Sequence, residues 1–128
     1  KPGDPAYDAY LESEYRQAID VLTARGATLA WMISPHLNRV SDFNNPARTD
    51  RLNEIVLPMV DATPHHELID YPAYLEAQGD FTSAKTIRND GVHIRKEKLQ
   101  TVADWLVPQL IAARQPAGGA TSPTAPAG

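Results

Sequence analysis

Two residues in the last third of the chain, Asp90 and His93, have the types and the spacing of an acid–base pair. They lie in the stretch Asn-Asp-Gly-Val-His-Ile over residues 89–94, directly before a segment with helical periodicity. Gly91 permits a tight turn between them, so that both side chains can face one cleft. A carboxylate that fixes the tautomer of a histidine creates the base that a nucleophilic serine needs. Because imidazole titrates near neutrality, His93 is suited to act first as a base and then as an acid.

The same stretch is also compatible with a structural role. In that alternative Asp90 and Gly91 form a turn that leads into the next helix, and His93 is a satisfied structural residue. A motif this short arises readily by chance, so its spacing does not separate the two interpretations. The surrounding elements must therefore be considered.

Helical and strand-like segments alternate in the first half of the chain. Helical spacing of apolar residues predicts an amphipathic helix over Ala6–Arg25, and Gly26 is a typical stop after it. The continuous apolar run Ala27–Ile33 predicts a strand that is buried on both faces, as in a parallel sheet. A second helix is predicted over Ala47–Leu57, and Pro58 should kink or end it.

The second half predicts a short strand over Glu67–Tyr71, a long loop over Gln78–His93 and a last helix over Arg95–Arg114. Long ordered loops in compact domains tend to be functional. Residues 115–128 are rich in Pro, Ala and Gly and predict a disordered tail, so the domain comprises residues 1–114. This order of elements predicts the α/β class.

Two strands are too few for a stable parallel sheet, and the first predicted strand is too apolar for an exposed edge. The chain starts at Lys1, rather than at a methionine, with the loop-like Pro-Gly-Asp-Pro. We therefore expect that the sequence is the C-terminal part of a larger domain, whose other strands precede it.

Composition excludes several kinds of site. The net charge of −4 argues against nucleic acid as a partner, because phosphate binding needs a basic face. The absence of cysteine excludes disulfides, thiolate metal sites and a cysteine nucleophile. His36, His65, His66 and His93 do not have the spacing of a zinc motif and are interpreted as surface loop residues apart from His93. We expect neither a metal nor a cofactor.

Five other residues have simpler interpretations than a catalytic one. Ser34 precedes a proline near a histidine, but the strand–turn–helix elbow of a nucleophile is absent there, so a loop serine is predicted. Trp31 and Trp105 fall on apolar faces and are expected in the core. Asp70 is interpreted as a capping residue at a strand end. Arg88 is interpreted as a solvated arginine rather than a contact for an anionic substrate.

The Asp-Gly-Val-His-Ile block, followed by Lys- and Glu-rich residues and a closing amphipathic helix, resembles the last conserved block of the SGNH (GDSL-like) hydrolases. Residues 4–111 resemble the version of that domain that is fused to bacterial membrane acyltransferases. The segments that carry this wider resemblance are Leu22–Ala27, the strand that closes at Pro35, Arg51–Asn53 and Leu68–Asp70.

This resemblance implies a three-layer α/β/α, flavodoxin-like parallel sheet, in which Asp90 and His93 are the acid and the base of a catalytic triad. It implies hydrolysis or transfer of an O-linked acyl group, often acetyl on a cell-surface glycan, at the C-terminal ends of the strands. It further implies an extracytoplasmic location in a bacterium and a possible tether to a membrane acyltransferase domain.

The sequence departs from the family pattern at the nucleophile. The family's Gly-Asp-Ser block is absent, since Gly3-Asp4 is followed by proline and Gly79-Asp80 by phenylalanine. The family's glycine and asparagine oxyanion donors have no matching segment either, so the upstream half of the domain would have to supply both. Two alternatives stay open: a non-catalytic α/β scaffold or glycan-binding module, and a nucleotide-binding module, for which no Gly-rich phosphate loop is present.

Overall fold

The computed structural model describes residues 1–37, 44–80 and 85–114. Over these ranges the chain forms four α-helices and a two-stranded parallel sheet, which makes it a mixed α/β protein. The predicted tail over 115–128 lies outside the described residues, as do residues 38–43 and residues 81–84 of the long predicted loop.

The first helix, α1, spans Pro5–Thr23. Asp4 caps its start, because the Asp4 carboxylate accepts hydrogen bonds from the backbone N–H groups of Ala6 and Tyr7. Gly26 follows the helix with a φ of +76°, a left-handed conformation that favours glycine. The predicted helix with a glycine stop is confirmed.

The two strands are β1 over Leu29–Met32 and β2 over His66–Ile69, and they pair in parallel along their whole length. The prediction that β1 is buried on both faces is wrong. Leu29 is buried, but Ala30 is exposed and Met32 keeps 38% of its surface exposed. Since alternate strand residues point to opposite faces, one face of β1 packs on helices while the other is largely uncovered by the described residues.

The second helix, α2, spans Pro46–Asp61 and continues through Pro58, so Pro58 does not end the helix. A proline in a helix interior costs about 3 kcal/mol. The next two residues, Met59 and Val60, are only 9% and 0% exposed. Burial of side chains of this size contributes about 1.5–3 kcal/mol each, which offsets the lost hydrogen bond and keeps the last turn helical.

The third helix, α3, spans Tyr71–Ala77 and begins directly after β2. Asp70 caps it by accepting a hydrogen bond from the backbone N–H of Ala73, so its capping role is confirmed. The last predicted helix starts with a 3-10 turn at Lys96–Lys98 and continues as α4 over Leu99–Ala113.

Two apolar clusters hold these elements together. In the first, α1 and α2 pack on the sheet through Ile19, Leu29, Val56, Met59 and Val60. In the second, α3, α4 and the loop between them meet through Tyr71, Tyr74, Leu75, Ile87 and Val102. Trp31 packs against the first cluster and Trp105 against the second, where Trp105 stacks on Tyr74 with ring centroids 4.1 Å apart. The predicted core role of both tryptophans is confirmed.

Replacement of Ile69 by alanine should destabilise the chain by about 2–5 kcal/mol, because Ile69 is 1% exposed and its loss leaves a cavity beside the sheet. The measurement is the free energy of unfolding from urea titration, followed by circular dichroism. Val21→Ala on α1 is the control, because Val21 is 77% exposed and its loss should change stability by less than about 0.5 kcal/mol. Equal effects of the two substitutions would contradict the assigned core.

Candidate functional site

Asp90 and His93 lie within hydrogen-bonding distance in a tight turn. Oδ2 of Asp90 is 2.7 Å from Nδ1 of His93. Oδ1 of Asp90 accepts hydrogen bonds from the backbone N–H groups of Val92 (2.9 Å) and His93 (2.8 Å). Gly91 has a φ of +76°, the left-handed conformation that closes the turn. One carboxylate therefore holds both the backbone of the turn and the imidazole ring.

These contacts set the charge of Asp90 and the tautomer of His93. Hydrogen bonds from the backbone N–H of His93, from its ring and from the backbone N–H of Val92 hold the pKa of Asp90 well below its ordinary value. Asp90 is therefore ionised near neutral pH and can only accept hydrogen bonds. In the neutral imidazole the proton then resides on Nδ1, and Nε2 carries the lone pair. The His93 side chain is 75% exposed, so this nitrogen can meet an incoming hydroxyl group.

The structural alternative accounts for only part of this geometry. A turn cap requires Oδ1 alone, because Oδ1 accepts both backbone hydrogen bonds. The contact between Oδ2 and the imidazole satisfies no backbone group. It is the arrangement that a general base requires, in which a carboxylate orients the ring and stabilises its protonated form.

The turn is the tip of a short hairpin-like loop. Arg88 and Ile94 form an antiparallel bridge at its base, and the backbone N–H of Arg95 donates to the carbonyl of Ile87 at 2.8 Å. The side chain of Ile87 is buried in the second apolar cluster. The base of the loop is thus fixed to the core, while its tip reaches solvent.

A buried ion pair holds the two ends of this loop in place. The prediction that Arg88 is solvated is wrong. Nε of Arg88 lies 2.6 Å from Oδ2 of Asp80, and the two side chains are only 6% and 1% exposed. Oδ1 of Asp80 accepts from the backbone N–H groups of Ile87 and Arg88. Nη1 of Arg88 donates to the carbonyl of His36 at 2.8 Å, in the segment that follows β1. Because the guanidinium is buried and bound within the protein, Arg88 is not placed to contact an anionic substrate.

Burial raises the pKa of Asp80, but hydrogen bonds from the Arg88 guanidinium and from two backbone N–H groups outweigh that effect and hold the pKa below its ordinary value. The contribution of the pair to stability is therefore present above the pKa of an unfolded aspartate. It is lost as the pH falls through the lower pKa of the folded state.

A cleft of about 410 Å³ lies beside the loop base, at the carboxyl ends of both strands. Ser34 and His36, which follow β1, line it, as do Pro72 after β2 and the Asp80–Arg88 pair. Open α/β sheets bind ligands at this end of their strands. Asp90 and His93 do not line the cleft, but Arg88 connects it to the loop that carries them.

The cleft contains a second Asp–His pair that the sequence did not reveal. Nε2 of His36 lies 2.6 Å from Oδ1 of Asp50, a residue fourteen positions away on α2. Asn53 holds the neighbouring backbone, because its side-chain amide exchanges two hydrogen bonds with the N–H and carbonyl groups of Ser34. Within the described ranges the hydroxyl of Ser34 makes no hydrogen bond to the His36 ring. The prediction of a loop serine at this position is consistent with that geometry.

The remaining histidines lie apart from the Asp90–His93 turn and the cleft. The part of the chain that the structure describes contains no group of three or more His, Asp or Glu side chains that could hold a metal ion. The interpretation of His66 as a surface loop residue is wrong, since His66 begins β2 and its Nδ1 donates to the carbonyl of Thr63 at 2.7 Å. None of the described helices has the length and apolar character needed to cross a membrane.

Replacement of Arg88 by methionine should destabilise the chain by about 3–5 kcal/mol, because it leaves the buried Asp80 carboxylate without its partner. The double variant Asp80→Asn/Arg88→Met should lose less than the sum of the two single variants, since it leaves no buried charge. Unfolding free energies from urea titration measure both effects.

Arg16→Met is the matched control for that experiment. It removes an arginine from the solvent-exposed pair with Glu12, which should cost less than about 1 kcal/mol. A loss for Arg88→Met no larger than that of the control would show that the buried pair does not hold the loop.

In the neutral imidazole of His93 the proton should reside on Nδ1, because the Asp90 carboxylate accepts it there. Two-bond ¹H–¹⁵N correlation spectra of the chain, recorded at a pH above the ordinary range of histidine, report the tautomer directly. Asp90→Asn should shift the population toward the Nε2–H form, while Asp20→Asn on exposed α1 surface should leave it unchanged. A dominant Nε2–H form in the unsubstituted chain would contradict the assigned orientation.

No protein-family model matches the chain, and neither the curated proteins nor the solved structures contain a significant match to it.

Proposed function

We propose that this chain supplies the acid–base half of a serine esterase or O-acyltransferase site in an SGNH-type domain. The observation that carries the proposal is the 2.7 Å contact between Oδ2 of Asp90 and Nδ1 of His93. It leaves the opposite ring nitrogen on a side chain that is exposed to solvent. Residue types and spacing that resemble the last SGNH block support the same assignment.

In the proposed reaction, Nε2 of His93 takes the proton of a serine hydroxyl as the serine oxygen attacks the acyl carbonyl carbon. Asp90 stabilises the imidazolium that forms. The ring then returns the proton to the departing alcohol oxygen, which leaves an acyl-enzyme ester. In the second half, His93 deprotonates water for hydrolysis or an acceptor hydroxyl for transfer, and the serine leaves with the returned proton.

The nucleophile and the oxyanion donors are proposed to come from an upstream half of the same domain, since the sequence contains no Gly-Asp-Ser block. That half would extend the two-stranded sheet to a three-layer, flavodoxin-like fold. Exposed apolar side chains support this arrangement: Met32 on β1 and Leu99, Val107 and Ile111 on α4 all retain more than a third of their surface. In the proposal, the upstream half packs against these side chains.

The family resemblance, rather than the geometry, gives the substrate and the location. We propose an O-acyl ester, with acetyl on a cell-surface glycan as the substrate class, and an extracytoplasmic site in a bacterium. A tether to a membrane acyltransferase domain follows from the same resemblance.

A non-catalytic α/β scaffold or glycan-binding module is the second candidate. The two backbone hydrogen bonds that Asp90 accepts favour it, because they give the carboxylate a structural role without any nucleophile. A substitution that removes the His93 imidazole but keeps the turn separates the two candidates. The enzyme would lose acyl-ester turnover, whereas the scaffold would show no change.

A polypeptide that carries this chain together with the proposed upstream half should be labelled by a serine-reactive fluorophosphonate. His93→Ala should abolish the labelling, because serine without its base is a poor nucleophile. Asp90→Asn should lower acyl-ester turnover by several orders of magnitude, on the order of 10⁴-fold as in the serine proteases. The chain of 128 residues alone should not be labelled.

His65→Ala is the matched control, since it removes an exposed histidine outside the turn and should leave labelling unchanged. Undiminished turnover in the His93→Ala variant would support the scaffold and exclude the enzyme.

A further inference from the structure

We propose that Arg88 is a positioning residue for His93: its buried guanidinium joins the segments after β1 and after α3 to the loop, and so sets the direction in which the imidazole points. The inference rests on the proposed function, in which His93 must reach a serine on another segment. The Arg88 side chain is only 6% exposed, so it does not meet a substrate itself. It acts through the loop alone.

The guanidinium donates to three acceptors on two segments. Nε lies 2.6 Å from Oδ2 of Asp80, and Nη2 lies 3.4 Å from the carbonyl oxygen of Asp80, shortly after α3. Nη1 donates at 2.8 Å to the carbonyl of His36, in the segment that follows β1. Because the guanidinium is a rigid planar fork, these three bonds fix both the distance and the angle between the segments that they join.

The backbone of Arg88 connects the guanidinium to the turn that carries His93. Arg88 forms an antiparallel bridge with Ile94, the residue next to His93. Within the turn, the Asp90 carboxylate accepts from the backbone N–H groups of Val92 and His93 and contacts the imidazole ring. The turn is therefore held together internally, and its direction relative to the sheet is set where Arg88 is anchored.

The apolar core alone does not fix that direction. Ile87 anchors the same end of the loop in the second apolar cluster, but apolar contacts are non-directional. Hydrogen bonds weaken steeply as their angles change, so the Arg88 network restricts rotation as well as displacement. A lysine at this position could neutralise Asp80, but a single ammonium group does not reproduce a fork that also reaches the carbonyl of His36. The role depends on the shape of the guanidinium and not only on its charge.

Arg88→Lys tests this role in the chain of 128 residues. Residual dipolar couplings report the orientation of the amide groups of Gly91, Val92 and His93 relative to α3 and α4. We expect the couplings of the turn to change and those within the helices to be retained. Two-bond ¹H–¹⁵N spectra should still show the Nδ1–H form of His93, because its contact with Asp90 lies within the turn.

The same substitution is then made in the polypeptide that also carries the proposed upstream half. Arg88→Lys should lower the rate of fluorophosphonate labelling by about 100-fold, the loss expected of a group that is misplaced by about 1 Å. A retained His93 tautomer together with slow labelling separates positioning from a general loss of structure, which would abolish both.

Asp80→Asn/Arg88→Gln is the second variant, and it decides the question if Arg88→Lys does not fold. It leaves no buried charge, and the carboxamide oxygen at position 80 can still accept from the two backbone N–H groups of the loop. The guanidinium bridge to the carbonyl of His36 is lost, so the same changes in couplings and in labelling are expected.

Arg51→Lys is the matched control. Arg51 also joins two carboxylates, those of Asp8 on α1 at 3.0 Å and of Glu54 on α2 at 2.9 Å. It makes no hydrogen bond to the described part of the loop. The control should change neither the couplings of the turn nor the rate of labelling.

An unchanged orientation of the turn in either folded Arg88 variant, or labelling of either variant at the rate of the unsubstituted polypeptide, would overturn the proposal. If the unsubstituted polypeptide is not labelled at all, the proposed function fails. The dipolar couplings then still decide whether Arg88 sets the orientation of the turn.

Discussion

The buried ion pair of Asp80 and Arg88 is the interaction on which the site depends. Two charges removed from water are tolerated only when they are close and their remaining hydrogen-bonding groups are satisfied. Both conditions hold here, because the two backbone N–H groups at Ile87 and Arg88 and the carbonyl of His36 complete the network. The pair thereby joins three segments that are distant in sequence: the end of α3, the base of the loop and the chain after β1.

This network holds the base of the loop in place and does not extend to the tip of the loop. The base of the loop is closed by a buried pair and by Ile87 in the core, whereas His93 at the tip is 75% exposed. A solvent-exposed contact between charged or polar side chains adds little to stability. The side-chain contact of Asp90 with His93 therefore contributes less to holding the loop than the buried pair at its base does.

Features that depend on neighbours in sequence were predictable. Gly26 follows α1 at the predicted place because a left-handed residue acts over two or three positions. The Asp4 cap acts over the same distance, but the sequence analysis interpreted Asp4 only as part of a loop. The Asp90–His93 contact belongs to the same class, since three positions and one glycine fix it. The run Ala27–Ile33 also predicted a strand in the right place, because a short continuous apolar run is typical of a strand in an α/β sheet.

Features that depend on contacts between distant segments were not predictable. Asp80, the partner of Arg88, lies eight residues upstream, and the sequence between them has no periodic pattern. The sequence around Arg88 therefore suggested a solvated side chain. The His36–Asp50 pair requires the approach of α2 to the end of β1, which no local pattern indicates. The end of α2 was not predicted at the right place for the same reason, because the burial of Met59 and Val60, rather than the local propensity of Pro58, decides where the helix ends.

The Asp–His contacts at His36 and at His93 differ in their surroundings. His36 lies in a concave cleft, where its ring contacts Asp50 and where Pro35, Pro72 and Leu75 form an apolar wall. His93 stands on a protruding turn, where no wall excludes water from the described residues around it. A general base is effective when its partner hydroxyl is held within hydrogen-bonding reach. In the proposed function, His93 would therefore act only once another segment docks over the turn. Arg88 donates to the carbonyl of His36, so the buried pair connects the base of the loop to the edge of the cleft.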